Sequence, residues 1–365
     1  MNERSNIMFD ANFAVNKFRG MGKYINNLVS VIEECTGEKS LGLLKNKTYI
    51  PSKSFYSFGS SIYPLWEQVS LPIKLRSYKG IMIFPYNTAP LFLKKSSKNI
   101  LIIHDLIYLH DFKSSSLKQK LGALYRRILV PRVAQSFEKI LTVSEYSKLQ
   151  IIQNFGIDSD RISVIPNSVD FANMNTQTNL KFESRSNYFL HIGGEPVYKN
   201  SKAVLYSFSY LSEQIKDHYR LKIIGIRDSG VLAEYKSLCI QLDIIENVDF
   251  LEYQTDEQIS ELYQNAKIFI FPSIEEGFGI PILEAFMFGC PLACSNSSCL
   301  PEIAEDGAWY FDPNNYLQLT DTIHSILNNE HERNRKVNLG YLRVAEYSHK
   351  KFQNKVSDWF KSNFE

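Results

Sequence analysis

Two carboxylates, Glu276 and Glu284, bracket the segment Gly-Phe-Gly-Ile-Pro. An apolar run over 268–273 feeds a loop holding Glu275, Glu276, Gly277, Phe278 and Gly279, and a helix is predicted over 279–289. Glycines let a backbone approach a ligand closely. Pro281 suits a first helical position. The N–H groups of that first turn, from Gly279 through Ile280 to Ile282, form an anion site ready for a diphosphate. A carboxylate beside phosphate is costly unless it accepts hydrogen bonds from sugar hydroxyls instead. Acids at a helix start also answer the macrodipole. That accounts for Glu275 and Glu276, but not for Gly-Phe-Gly or for Glu284 one turn inside the helix.

The elements that must position these groups alternate. Continuous apolar runs occur at 7–13, 81–86, 99–105, 139–144, 162–166, 188–194, 221–226, 248–253, 268–273 and 291–296. Unbroken Ile, Leu, Val and Phe, without period-two alternation, fit strands buried on both faces of a parallel sheet. Helix-length segments lie between them at 21–35, 115–136, 144–156, 199–215, 229–243, 255–266 and 279–289, with Pro131 expected to kink or divide the second. Strand, helix, strand, helix predicts an α/β protein of two Rossmann-like, doubly wound lobes facing across a cleft. The polar stretch 171–186 reads as a linker between a first lobe, 1–170, and a second, 187–345. An amphipathic helix over 346–365, with Phe352, Val356, Trp359 and Phe360, is expected to pack back on the first lobe. Such sheets bind ligands beyond the carboxyl ends of their strands.

Composition sets limits on partners and compartment. The 365 residues carry a net charge of +2, unevenly placed: 23 basic and 13 acidic residues up to position 170, or +10, leave −8 for the rest. A basic half favours an anionic partner. Five cysteines, at 35, 239, 290, 294 and 299, form no Cys-x-x-Cys pair, so they read as reduced core thiols and no metal site is expected. The N-terminus lacks the features of a signal peptide, and no apolar run is long enough to span a bilayer. The expected location is cytoplasmic, with membrane contact confined to the inner face.

The 276–284 block resembles the donor-binding signature of glycosyltransferase family 4, which has the two-lobed GT-B fold. The family motif is Glu, seven residues, Glu, with a Glu-Gly-Phe-Gly-(Leu/Ile)-Pro core; here it reads Glu276-Gly277-Phe278-Gly279-Ile280-Pro281, then Ile282, Leu283 and Glu284. Ser298-Cys299-Leu300-Pro301-Glu302 and Phe311-Asp312-Pro313 continue the likeness. The resemblance implies that Glu276 meets the donor sugar, that Glu284 meets the ribose, and that backbone N–H groups between them hold the phosphates. It places Lys199-Asn200, after Gly193 and Gly194, where the family binds phosphate. Lys199 would then neutralise the leaving diphosphate without a metal. Many relatives carry another basic residue slightly earlier, where this chain has glycines and Glu195.

Further matches fall in the first lobe. Gly20-Met21-Gly22-Lys23-Tyr24, following Phe18-Arg19, is similar to the family's Gly-rich loop near the donor phosphates. His104, before Asp105 at a strand end, corresponds to a histidine facing the sugar. Val143-Ser144 and Pro166-Asn167-Ser168 match two more segments, with Ser168 where glycine is usual, so Ser144 and Asn167 are candidates to line the cleft or simply to cap a helix and shape a turn.

What the resemblance implies is a retaining, cofactor-free transferase. It would move a hexose from a nucleotide-sugar donor to a glycan or polyprenyl-diphosphate-linked acceptor, as in O-antigen or capsule assembly. No nucleic-acid partner is implied. The basic segments 74–79, 93–98 and 113–127 offer contact with an anionic membrane or a lipid-linked phosphate. A sugar-nucleotide epimerase of the same fold and a non-catalytic two-lobed sugar-binding protein are the alternatives. A nicotinamide oxidoreductase lacks its fingerprint, because position 25 is Ile where G-x-G-x-x-G needs glycine.

Overall fold

The computed structural model describes residues 6–15, 20–46, 48, 54–93, 98–110, 117–169 and 180–364. These divide into two compact units, with breaks between Ser168 and Val169 and between Ser348 and His349. Most of the expected linker, residues 171–179, lies outside the described residues; the remainder holds a short turn, Phe182–Ser184, and the start of a strand.

The first unit contains β1 (Ile7–Asp10), β2 (Ser40–Lys45), β3 (Phe55–Phe58), β4 (Ile81–Phe84), β5 (Asn99–Ile102), β6 (Lys139–Thr142) and β7 (Ile162–Val164). They form one parallel sheet in the order β3-β2-β1-β4-β5-β6-β7. One face is sealed by Met8, Met82, Phe84, Leu101, Ile140 and Ile162 against Trp66, Leu71 and Val130. The C-terminal helix His349–Phe364 belongs to this unit. It packs on the helix Gly20–Thr36 with Phe352 edge-on to Tyr24, and the Trp359 indole N–H donates to Ser163 Oγ at 3.1 Å.

The second unit holds β8 (Ser186–Ile192), β9 (Arg220–Ile224), β10 (Val248–Leu251), β11 (Ala266–Phe271), β12 (Leu292–Ser295) and β13 (Trp309–Phe311), parallel in the order β10-β9-β8-β11-β12-β13. Phe189, Ile223, Ile268, Ile270 and Phe311 bury that sheet against Phe208, Leu319 and Ile323. Both units are therefore doubly wound, as the alternation of apolar runs and amphipathic segments predicts. In each, strand order reverses beside the first strand, at β1/β4 and at β8/β11, which is where such sheets open a crevice for a ligand.

Some elements differ from expectation. Helix Leu117–Ser136 runs unbroken through Pro131, so the proline does not divide it. The predicted 199–215 helix is instead Ser201–Ser209 followed by Glu213–His218; Asn200, at a left-handed φ of 57°, sets the start of the first. Strands β2, β3 and β13 and the helices Tyr316–Asn328 and Glu330–Glu346 were not foreseen.

Candidate active site

At the β8/β11 crevice two loops meet. The β8 loop carries Gly193, Gly194, Lys199 and Asn200; the β11 loop carries Glu275 and Glu276. They are sewn together where the Ile274 N–H donates to Tyr198 O at 2.7 Å. Lys199 Nζ lies 2.6 Å from Glu276 Oε1, with both side chains largely shielded from solvent. The rings of Tyr198 and Phe271 lie 5.6 and 5.7 Å from the same ammonium and favour its charge. Thus the residue expected to neutralise the diphosphate and the one expected to meet the sugar are neighbours, despite lying 77 positions apart in sequence.

The helix Ile280–Met287 starts beside them, capped by Gly279 at φ 95°. Ile280 takes the first helical position and Pro281 the second. Not every N–H expected to bind anion can do so. Pro281 has none, and that of Ile282 donates to Gly279 O at 3.0 Å. The groups left for an anion are those of Gly279 and Ile280. Phe278 offers only its backbone, since its ring is buried edge-on against Tyr347. Glu284, half-buried one turn along, accepts from the Tyr263 hydroxyl at 3.1 Å. Asn200 is not aimed at a ligand: its amide donates to Pro272 O and Pro313 O at 3.2 and 2.7 Å. It is a staple that fixes the β11 loop.

A serine run at the end of β12 holds the same loop. Ser295 Oγ donates to Ser273 O at 2.5 Å and Ser297 Oγ to Ile274 O at 2.7 Å; Ser298 Oγ accepts from the Glu276 N–H at 3.2 Å. Nothing in the expected site named Ser295 or Ser297. Three short hydroxyls within four positions, at the end of a buried strand, were the available signal.

His191, fully buried on β8, is another unforeseen support. Its Nδ1–H donates to Ile270 O at 3.1 Å, and its Nε2 then accepts from Ser201 Oγ at 2.9 Å. Burial pushes its pKa down to about 4 from 6.5, outweighing the backbone hydrogen bond. An unfolded histidine takes a proton below about pH 6.5 that the folded one refuses, so stability is present above that pH and is lost toward pH 4. His191→Asn keeps a donor for Ile270 O and removes the titration. The variant's unfolding free energy from urea titration should fall less than the parent's between pH 7.5 and 4.5, the difference being about 2 kcal/mol. Equal acid slopes would refute the neutral, buried assignment.

The other expected residues lie in the first unit. Gly20 opens the helix Gly20–Thr36 and Gly22 is buried within it; residues 16–19, including Phe18 and Arg19, lie outside the described residues. His104 follows β5, buried, with its Nε2–H donating to Pro85 O at 2.9 Å and Tyr24 edge-on at 5.2 Å. Burial lowers its pKa to about 4. The ring is therefore neutral, with Nδ1 as its acceptor. Ser144 is fully buried and caps the helix Glu145–Phe155 through the Ser147 N–H at 3.0 Å, the helix-capping alternative of its two sequence readings. Ser147 Oγ in turn donates to His104 O at 3.2 Å. Asn167 is buried just beyond β7.

Sequence reasoning also missed an acidic knot at the end of β1. The Tyr63 hydroxyl bridges Asp10 Oδ2 at 2.8 Å and Glu67 Oε1 at 3.1 Å, and Tyr125 and Thr88 donate to Glu67. Burial raises Asp10 to about 7. One acid at a strand end and one inside an apolar helix were the only traces of it in the sequence.

Comparison with known proteins agrees with both units. Residues 48–173 match the family described as Glycosyltransferase Family 4, and residues 175–343 match Glycosyl transferases group 1. The O-antigen chain mannosyltransferase RfbU of Salmonella typhimurium is 28% identical over 267 residues, 73% of this chain and 69% of that protein. O-antigen chain mannosyltransferase B of Escherichia coli is 33% identical over 189 residues, 49% of each chain. The crystal structure of WaaG, a glycosyltransferase involved in lipopolysaccharide biosynthesis, superposes with a TM-score of 0.69 over 97% of this chain and 99% of that one, at 15% identity. With the expected signature set at the switch point of a doubly wound sheet, and with both units matched, the chain belongs to glycosyltransferase family 4.

Proposed function

We propose that this glycosyltransferase moves a hexosyl group from a nucleoside diphosphate sugar to a glycan or polyprenyl-diphosphate-linked saccharide, with retention at the anomeric carbon. The observation that carries this reading is the Lys199–Glu276 pair beside the start of helix Ile280–Met287. As the C–O bond to the diphosphate breaks, negative charge gathers on the leaving oxygen. Lys199 and the Gly279 and Ile280 N–H groups stabilise it. Glu276 turns to the sugar hydroxyls and orients the ring, while Glu284 takes the ribose. The acceptor hydroxyl approaches from the face the phosphate leaves, and its proton passes to the phosphate oxygen. Positioning and charge stabilisation then supply the catalysis, without a carboxylate nucleophile or a metal. The two O-antigen mannosyltransferases among the relatives make GDP-mannose the first donor to try.

The test is a thermal-shift screen of nucleotide sugars, followed by product analysis with the donor that stabilises most. The expected outcome is acceptor-dependent release of nucleoside diphosphate, undiminished by EDTA, and an α-linked product from an α-linked donor by NMR. An inverted product would refute retention. Turnover of donor to an epimer without acceptor would refute transfer.

A further inference from the structure

The second unit carries an aromatic surface next to its candidate site. Helix Ser201–Ser209 starts two residues past Lys199. Tyr206 and Tyr210, four residues apart, share one side of it. At a rise of ~1.5 Å per residue they stand about 8 and 14 Å along the helix from Ser201. Tyr316, which opens helix Tyr316–Asn328, meets both. Its ring centroid lies 5.5 Å from that of Tyr206 and 5.4 Å from that of Tyr210, each pair tilted by 32°. Tyr210 is 56% exposed, and the other two are half-buried.

The three rings are not what joins the two helices. Val204 and Phe208 pack in one core cluster with Leu319 and Ile323. The hydroxyls of Ser207 and Thr320 hydrogen-bond at 3.1 Å. A helix pair fastened in this way needs no large rings at its surface, where polar side chains would serve.

The surroundings carry little charge to offer a ligand. One turn to either side of the two helix tyrosines stand Lys202 and Glu213. Lys202 pairs with Glu234, and Glu213 with Lys216 at 2.6 Å. Asn314 and Asn315, both exposed, precede Tyr316 with uncharged amides. The surface is also continuous with the candidate active site. Asn200, between Lys199 and the helix, donates to Pro313 O at 2.7 Å, so the loop that leads to Tyr316 is tied to the loop that holds Lys199.

We propose that Tyr206, Tyr210 and Tyr316 form a second glycan-binding surface, which holds the already built, uncharged part of the saccharide acceptor beside the unit where its end is extended. Tyrosine offers a flat apolar face with a hydroxyl at the edge and only two rotatable angles to fix. A pyranose is the complementary shape, an apolar C–H face rimmed by hydroxyls. Paired charges leave nothing to attract an ion or a charged polymer. Holding part of the acceptor raises the effective concentration of its reacting end. The inference rests on the reading of the acceptor as a saccharide, but binding a glycan needs no donor.

The test uses the full chain and α-linked mannose oligosaccharides of increasing length. In Tyr210→Ala with Tyr316→Ala, kcat/KM for the longest acceptor should fall about tenfold, through KM. The constants for a disaccharide, too short to reach both places, should stay parental. Tyr210→Phe with Tyr316→Phe keeps the rings and should recover most of the loss. Without donor, soluble α-mannan in a native gel should retard the parent more than the double alanine variant. Thermal melts check that each variant is folded. Parental constants at every length, with parental retardation, in the double alanine variant would overturn the inference. A parent that α-mannan does not retard, and that elutes as a dimer broken by the same variant, would overturn it in favour of a protein interface. Retardation of the parent alone, without turnover of any acceptor, would uphold the glycan surface and count against the transfer reading.

Discussion

Lys199→Ala is expected to lower acceptor-dependent release of nucleoside diphosphate by about 10²–10³-fold, the usual cost of losing one preorganised group that meets developing charge. The fold should survive, because Lys199 lies on a loop and its charged end pairs with Glu276. Glu276→Ala should lose turnover on a similar scale for a different reason: the sugar is no longer oriented, and Lys199 keeps its charge without a counterion. Glu276→Gln separates the two roles. It retains hydrogen bonding to hydroxyls but not the ion pair, so it should fall between parent and alanine variant. If both residues act on one bound donor, the double alanine variant should be scarcely worse than the poorer single variant. The measurements are steady-state kcat and kcat/KM with thermal melts as the check on folding. Unchanged turnover in Lys199→Ala and Glu276→Ala would remove the basis of the proposed mechanism.

The parts of this picture that could be read in the sequence share a physical cause. Inner strands are buried on both faces, so β1, β4, β5, β8, β9, β11 and β12 show as continuous apolar runs. Several runs continue two or three residues past the last ladder residue, as at 7–13 against Ile7–Asp10, and those surplus residues enter the loops at the carboxyl edge. The signal for a strand thereby also marked the edge where Asp10, His104 and Ser273 stand. Edge elements were quieter. β3 and β13 border their sheets, span four and three residues, and need no long apolar run. Helix Glu330–Glu346 is mostly polar, burying only Arg333, Gly340 and Val344, so no apolar stripe announced it. In the site, the Glu-Gly-Phe-Gly block was legible because its turn, helix start and acids are contiguous. The supports of that block were not. Asn200 reaches Pro272 and Pro313, and Ser297 reaches Ile274, across dozens of positions, and one sequence carries no record of such pairings.

Gly194→Ala should damage both stability and turnover, and a companion substitution shows why. Gly194 has φ 85°, and a Cβ there would lie 2.8 Å from Gly225 O, a backbone atom of a residue itself held at φ 105°. Gly156 also has a left-handed φ, 63°, closing the helix Glu145–Phe155, but a Cβ there meets nothing within 4 Å. Gly156→Ala therefore carries the left-handed cost alone, about 1–2 kcal/mol. Gly194→Ala adds about 1–3 kcal/mol for forcing two backbones apart. A urea midpoint should register the larger loss in Gly194→Ala. Its kinetic consequence should be larger still. Lys199 hangs from the loop that begins at Gly193, and displacement by about 1 Å of a positioning group can cost 10²-fold in rate. Gly156→Ala should turn over like the parent. If the two alanine variants lose the same stability, and Gly194→Ala keeps parental kcat, then the β8 and β9 loops do not meet as closely as Gly194 and Gly225 place them. Lys199 would then owe its position to the Tyr198–Ile274 hydrogen bond and the Asn200 staple.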